Sequence, residues 1–394
     1  MHPRIINAIS SLALIAMATT QQAHADDSAK YKPIYSFDQV QGSVPASVLL
    51  KSKWAGRTLW GTTDSGGTSN IGTLFQFHPD TNRLDVIHNF VQDGADGFWP
   101  GHDLKDTLDG NLIGVTNAGG THYSGTIFTV SPKGEYRVIH SFEGAPGDGM
   151  DPDSAPLAEP SGTFIGTTSF GGENNQGTVY RMSADGSVTI LHSFSGSDGS
   201  IPQYGLVLAP DNMYYGTTNS GGANQAGTIF RMSPDGAFES LFSFSSATNG
   251  QAPQHLQVGR DGNLYGIAPW GGAGGGGTAF RMTHDGVVTV IHNFAPSNPE
   301  GDLPTGLMQG SDANFYGTTT RTSSDQHGAI FRMTMSGDVS VLHNFTDPTA
   351  QNPNEGRQPL AAPVELERGA LFGTTSIGGI PGQTGFGTVY RVRY

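Results

Sequence analysis

A glycine-centred strand motif returns seven times along this chain at intervals of 50 to 56 residues, which restricts the fold to architectures built from copies of one small unit. It reads Leu59-Trp60-Gly61-Thr62-Thr63, Tyr215-Gly216-Thr217-Thr218, Tyr265-Gly266, Tyr316-Gly317-Thr318-Thr319 and Phe372-Gly373-Thr374-Thr375, with variants at Ile113-Gly114 and Ile165-Gly166-Thr167-Thr168. Eleven residues after each central glycine stands Gly-Thr or Gly-Ala and an apolar-aromatic pair, beginning at Gly72, Gly125, Gly177, Gly227, Gly277 and Gly328. Gly387 arrives three residues late, which marks an insertion in the seventh copy.

Each copy is preceded by Gly-x-x-Pro, from Pro45 to Pro359, and most end in an alternating run that stops at a phenylalanine such as Phe90, Phe194 or Phe345. Asp-Gly turns separate the runs, so one copy supplies four antiparallel strands. Four strands per copy is a propeller blade. The seventh copy stops at Gly387-Thr388-Val389-Tyr390-Arg391 without a fourth strand, while Pro33-Ile34-Tyr35-Ser36-Phe37 is a fourth-strand ending with no blade of its own. The expectation is an all-β, seven-bladed β-propeller. Its repeats cover about 42–394, and an N-terminal strand at about 31–37 completes the last blade and leaves no open edge at the closure.

Taken together, the Gly-x-x-Pro, Tyr-Gly-Thr-Thr-x-x-Gly-Gly, Gly-Thr-Val-Phe and Leu-His-Ser-Phe elements resemble the GloVer-type tandem repeat of bacterial exported proteins, over nearly all of the mature chain. The resemblance implies export and a propeller-like array, often tethered by one of several C-terminal anchors. It implies no settled enzymatic activity. This sequence departs from the pattern in ending at Tyr394, inside the last repeat, with no sorting helix.

The N-terminus agrees with export. Arg4, the uncharged run Ile5 to Ala16 and the small-x-small Ala23-His24-Ala25 read as a signal peptide over 1–25, leaving a single domain over 26–394. The apolar run is too short to span a bilayer, so the expected product is secreted or periplasmic, without membrane insertion. Cysteine is absent, which excludes disulfides and thiolate chemistry. A formal charge of −14 with 20 Lys plus Arg argues against nucleic acid as a partner. No cofactor is expected, and the chain reads as a monomer.

Long connections and Gly-Gly loops should emerge together on one face of the disc, which is where a ligand is expected. The fourth-strand histidines His88, His140, His192, His292 and His343 lie a blade apart, too far to share an ion at about 2 Å, and read as architecture. The Gly-Gly pairs are no phosphate loop, because no Lys-Ser or Lys-Thr follows.

Departures from the repeat carry more information. Two residues after the blade proline stand Ser47, His102, Ser154, Tyr204, His255, Gly306 and Ala361, with Asp103 and Asp153 adjoining. Before the Gly-Gly position, Phe170, Trp270 and Arg321 replace small residues, and Trp99, His122 and Tyr123 share that face. Aromatic platforms with carboxylates and an arginine suit sugar rings and uronates. The bland reading is that these groups cap backbone or pack on loops. Asp93-Gly94-Ala95-Asp96-Gly97 and Asp148 to Asp153 have oxygens suited to Ca²⁺ but lack EF-hand spacing, and read rather as solvated turns.

The leading functional expectation is therefore a non-enzymatic module for an extracellular polysaccharide or cell-surface protein, using Trp99, Asp103, His122, Tyr123, Asp153, Phe170 and Trp270. The alternative is a uronate lyase with His102 or His255 as base, Tyr204 as proton donor and Arg321 on the carboxylate. A third is a purely architectural envelope protein.

Overall fold

A computed structural model describes residues 30–101, 103–322, 327–349, 352–380 and 385–394; the expected signal peptide and His102 lie outside them. The described residues form seven antiparallel blades, and none is helical. Blade four is typical: Val207–Leu208, Tyr214–Thr218, Thr228–Met232 and Phe238–Ser243 pair in chain order. In blade two the innermost position is split between Gly97–Pro100 and Lys105–Asp106, both paired with Leu112–Gly119.

Each motif answers to a contact. The central glycine of the second strand lies beneath the aromatic ring of the third: a Cβ on Gly61 would stand 2.6 Å from Phe75 Cζ, and Gly266 would meet Phe280 at 2.7 Å. The second threonine of Thr-Thr reaches the threonine after the next glycine, Thr63 Oγ1 to Thr73 Oγ1 at 2.9 Å and Thr168 to Thr178 at 2.7 Å, so buried hydroxyls satisfy each other.

The seams between blades explain the remaining signature. The proline of Gly-x-x-Pro packs on the Gly-Thr glycine of the preceding blade, where a Cβ on Gly227 would stand 2.6 Å from Pro253 Cδ. The residue before each proline has positive φ in all seven copies: Val44, Trp99, Asp151, Ile201, Ala252, Leu303 and Gln358. Each donates its N–H backwards across the seam, as Ile201 does to the Gln176 carbonyl and Ala252 to the Ala226 carbonyl, both at 3.0 Å. That bond holds a left-handed conformation that is costly for these side chains.

The ring closes as expected. Lys30–Ser36 pairs antiparallel with Thr388–Arg393, from Lys30 opposite Arg393 to Ser36 opposite Thr388. Phe37 follows the strand, 1% exposed, and its N–H reaches the Gly387 carbonyl at 3.0 Å, as Phe244 reaches Gly227 at 2.9 Å. Burying such a ring is worth about 1.5–3 kcal/mol. The core divides into seven clusters, one per seam; that between blades seven and one joins Phe37, Leu49 and Phe75 to Leu366, Phe372 and Val389.

The fourth-strand histidines are architectural pins. His88 pairs with Asp96 at 2.8 Å, His140 with Asp148 at 3.3 Å, His192 with Asp198 at 2.8 Å, His292 with Glu300 at 2.9 Å and His343 with Glu355 at 2.7 Å. Each carboxylate immediately precedes the glycine of Gly-x-x-Pro, so the pair fastens the long connection to the outer strand.

Candidate functional site

The long connections and Gly-Gly loops do share a face, and over blades one to three they border an open groove of about 580 Å³. Trp99, Tyr123 and Phe170 line it together with Met150, and its polar wall is Asp64, Ser65, Asn117 and Asp151. Trp99 and Tyr123 are 52% and 60% exposed, unusual for large aromatics on a rigid backbone. Trp99 sits at the clasped position before Pro100, its N–H on the Ile71 carbonyl at 3.2 Å, and Phe98 packs against the indole edge-on with centroids 5.1 Å apart. The platform is held in place by its backbone.

A second opening lies on the propeller axis. Its outer chamber, about 230 Å³, is bordered by Asp64, Val48, Tyr204, Gln254, His255 and Thr305, among others. An inner chamber of about 220 Å³ adds Asp103, Lys105, Asp153, Ser154 and apolar side chains of the inner strands. The position two residues after the blade proline thus brings Ser154, Tyr204, His255 and Ala361 to the axis. Ser47 at the same position instead bonds the Thr62 N–H at 2.8 Å. The rings of Tyr204 and His255 lie 4.5 Å apart.

Several expected site residues are committed elsewhere. Asp103 takes Lys105 Nζ at 2.8 Å, Ser154 Oγ at 3.0 Å and the Ala155 N–H at 2.6 Å. Burial pushes its carboxyl pKa up, but the Lys105 charge and these donors outweigh it and hold the group below the usual range. It pins blade two to blade three. Asp153, 5% exposed, accepts from Asn117 and Ser169. Arg321 does not border either chamber; its guanidinium pairs with the buried Asp302 at 3.0 Å in its own blade. The fourfold convergence that the lyase expectation requires is therefore not formed by Arg321, and His102 is outside the described residues. Trp270, 51% exposed, stands on blade five away from the groove, and His122 is turned to Thr121, Nδ1 to Oγ1 at 3.1 Å.

The acidic connections do not suit Ca²⁺ either. Asp96 carries His88, Tyr136 Oη at 2.7 Å and the Val91 and Gly97 N–H groups at 3.1 and 2.8 Å, while Asp148 carries His140 and the Glu143 and Gly149 N–H groups at 3.0 and 2.7 Å. Their lone pairs are taken by protein donors. Among the described residues no three His, Asp or Glu side chains are grouped to hold a metal ion.

Asp64 and Asn117 were not anticipated, and Asp151 only as one oxygen source of an acidic connection. Asp64 and Asn117 occupy one repeat position, directly after Thr-Thr or its equivalent, where other copies have Ser169, Asn219, Pro269, Thr320 and Ser376. Variation there was the available signal.

Fold and site together define a seven-bladed propeller with a groove over three blades and a recess on the axis. The chain belongs to the Gloeobacter/Verrucomicrobia repeat family, whose profile matches residues 23–156 and 151–357. No curated protein matches the sequence. Among solved structures it resembles virginiamycin B lyase from Staphylococcus aureus, with a TM-score of 0.60, 15% identity and coverage of 93% of this chain and 99% of that one. Oligogalacturonate lyase in complex with manganese gives 0.55, 12%, 93% and 98%. The extracellular domain of a one-component system from B. thetaiotaomicron gives 0.57, 10%, 91% and 39%. At such identities the likeness is one of fold.

Proposed function

We propose that this protein is an exported, non-enzymatic propeller that binds a glycan of neutral or amine-bearing sugars through the groove over blades one to three. The observation that carries this reading is the convergence of Trp99, Tyr123 and Phe170 with Asp64, Asn117 and Asp151 on one open surface. Aromatic faces stack on the apolar faces of sugar rings, and carboxylate and amide oxygens accept hydroxyl or ammonium protons. Uronates suit the groove less well: no Lys or Arg borders it among the described residues, and Lys105 in the channel is held by Asp103. Export rests on Arg4, the run Ile5 to Ala16 and Ala23-His24-Ala25.

The test is a glycan array probed with the mature protein, Trp99→Ala and Tyr123→Ala. Binding to neutral or amine-bearing glycans that falls at least tenfold in each variant supports the reading. No binding, or binding that ignores both substitutions, overturns it. Elimination from a uronate has one observation in its favour, the Tyr204–His255 contact on the axis. It predicts an unsaturated, ultraviolet-absorbing product from acidic polysaccharides, lost in His255→Ala.

A further inference from the structure

The groove does not stop at its aromatic wall. Asp64 borders both the groove and the outer chamber on the axis, so the two spaces adjoin. That chamber is ringed by residues of five blades: Ala46 and Val48 of blade one, Tyr204 of blade four, His255 of blade five, Thr305 of blade six and Ala361 of blade seven. Val48, Tyr204 and His255 also border the inner chamber and form the neck between the two. Apart from His102, the other copies place serine, glycine or alanine at the position of these two rings, so among the described residues the constriction belongs to blades four and five.

The neck has a chemical character of its own. Tyr204 lines both chambers where they meet, its ring against that of His255. Burial, and then the charge of Asp153, push the phenol pKa up, so the group stays a proton donor throughout the physiological range. A phenol on the wall of a recess can donate to a hydroxyl or ring oxygen of a ligand seated there. The recess itself is small. At about 230 Å³ it is below the range of about 300–1,000 Å³ typical of drug-sized ligands, and it suits a single ring.

We propose that groove and outer chamber form one site for the end of a glycan chain, with the terminal sugar seated against Tyr204 and His255 and the preceding sugars crossing Trp99, Tyr123 and Phe170. This rests on the groove being a glycan site. A recess walled by five blades and narrowed at its base by two rings admits one end of a chain through its mouth. An internal stretch would have to enter and leave by the same mouth, for which a space of about 230 Å³ leaves no room.

The experiment measures the affinity of the mature protein for malto-, cello- and chitosan-oligosaccharides from the disaccharide to the octasaccharide, with α-cyclodextrin as the endless counterpart of maltohexaose. Wild type, Trp99→Ala and Tyr204→Phe are compared, and thermal melting confirms that each variant is folded. Recognition of a chain end gives an affinity per chain that levels off after a few sugars, no binding of the cyclic glucan, and a loss of about tenfold in Tyr204→Phe. Affinity that keeps growing in proportion to length, retained binding of cyclodextrin or an unaffected Tyr204→Phe overturns the proposal. If Trp99→Ala still weakens binding in that case, the groove reading survives. If no oligosaccharide binds, both fall.

Discussion

Val44 donates its N–H to the carbonyl of Phe386 at 3.1 Å, the same bond that Ile201 makes to Gln176 at 3.0 Å in the middle of the chain. The seam at which the ring closes is thus built like those between covalently consecutive blades. Closure depends on Lys30–Ser36, where Lys32 lies opposite Arg391. In this cysteine-free chain, Lys32→Cys with Arg391→Cys is expected to form a disulfide and raise stability by about 2–4 kcal/mol over the reduced form. Urea unfolding with and without reductant reads the difference; coincident curves would show that the two ends are not paired.

The third-strand ring is phenylalanine in five blades, but Tyr180 and Tyr390 occupy that place in blades three and seven. Both hydroxyls are buried without a partner among the described residues. Tyr180→Phe and Tyr390→Phe should therefore each stabilise the fold by about 1 kcal/mol, read as a higher denaturation midpoint at unchanged slope.

Much of this architecture was legible because the glycine and proline signatures meet the same contact in every copy. Gly61 is needed under Phe75, Gly227 is needed against Pro253, and such demands print themselves seven times. The site was less legible. Trp99, Tyr123 and Phe170 stood out as large residues where small ones suffice, whereas Asp64 and Asn117 were hidden at a position where polar residues are ordinary. Arg321 misled because spacing along a strand does not show which partner is nearest; Asp302, opposite it in the same ladder, takes the guanidinium. Nor does spacing say how far around the disc Trp270 stands from blades one to three.

Acid should weaken the protein in two stages. Burial pushes the His192 imidazolium below its ordinary 6.5, Asp198 opposing, so the folded state favours the neutral ring. That contribution is present above about 6.5 and is lost as pH falls through it. For Asp148, Asp198 and Glu300 burial pushes the pKa up, but histidine and N–H or hydroxyl donors outweigh it and hold each below its ordinary value, 3.8 or 4.5. Their contribution is complete above those values and is lost as pH falls through the lowered ones. Urea midpoints measured from pH 8 to pH 3 should be flat above 7, decline below about 6.5 and fall more steeply below about 4. Asp198→Asn should flatten part of the acid limb.

Gly227→Ala should cost about 2–3 kcal/mol, because the position has φ +95 and the new methyl would meet the Thr218 carbonyl of its own blade and stand 2.6 Å from Pro253 Cδ of the next. Gly56→Ala, where nothing lies within 4 Å, shares the positive φ without the clash and should cost less. Thermal melting of the two variants separates backbone strain from the steric clash.

The clasp before each proline uses only a main-chain N–H and a main-chain angle, so it makes no demand on the identity of the side chain it carries. Valine, tryptophan, aspartate, isoleucine, alanine, leucine and glutamine all occupy it, and Trp99 and Asp151 border the groove from it. The disc therefore has seven sockets of common geometry and free content. A lineage of such proteins can exchange what it recognises by point substitution there, while the joints that keep the disc whole stay as they are.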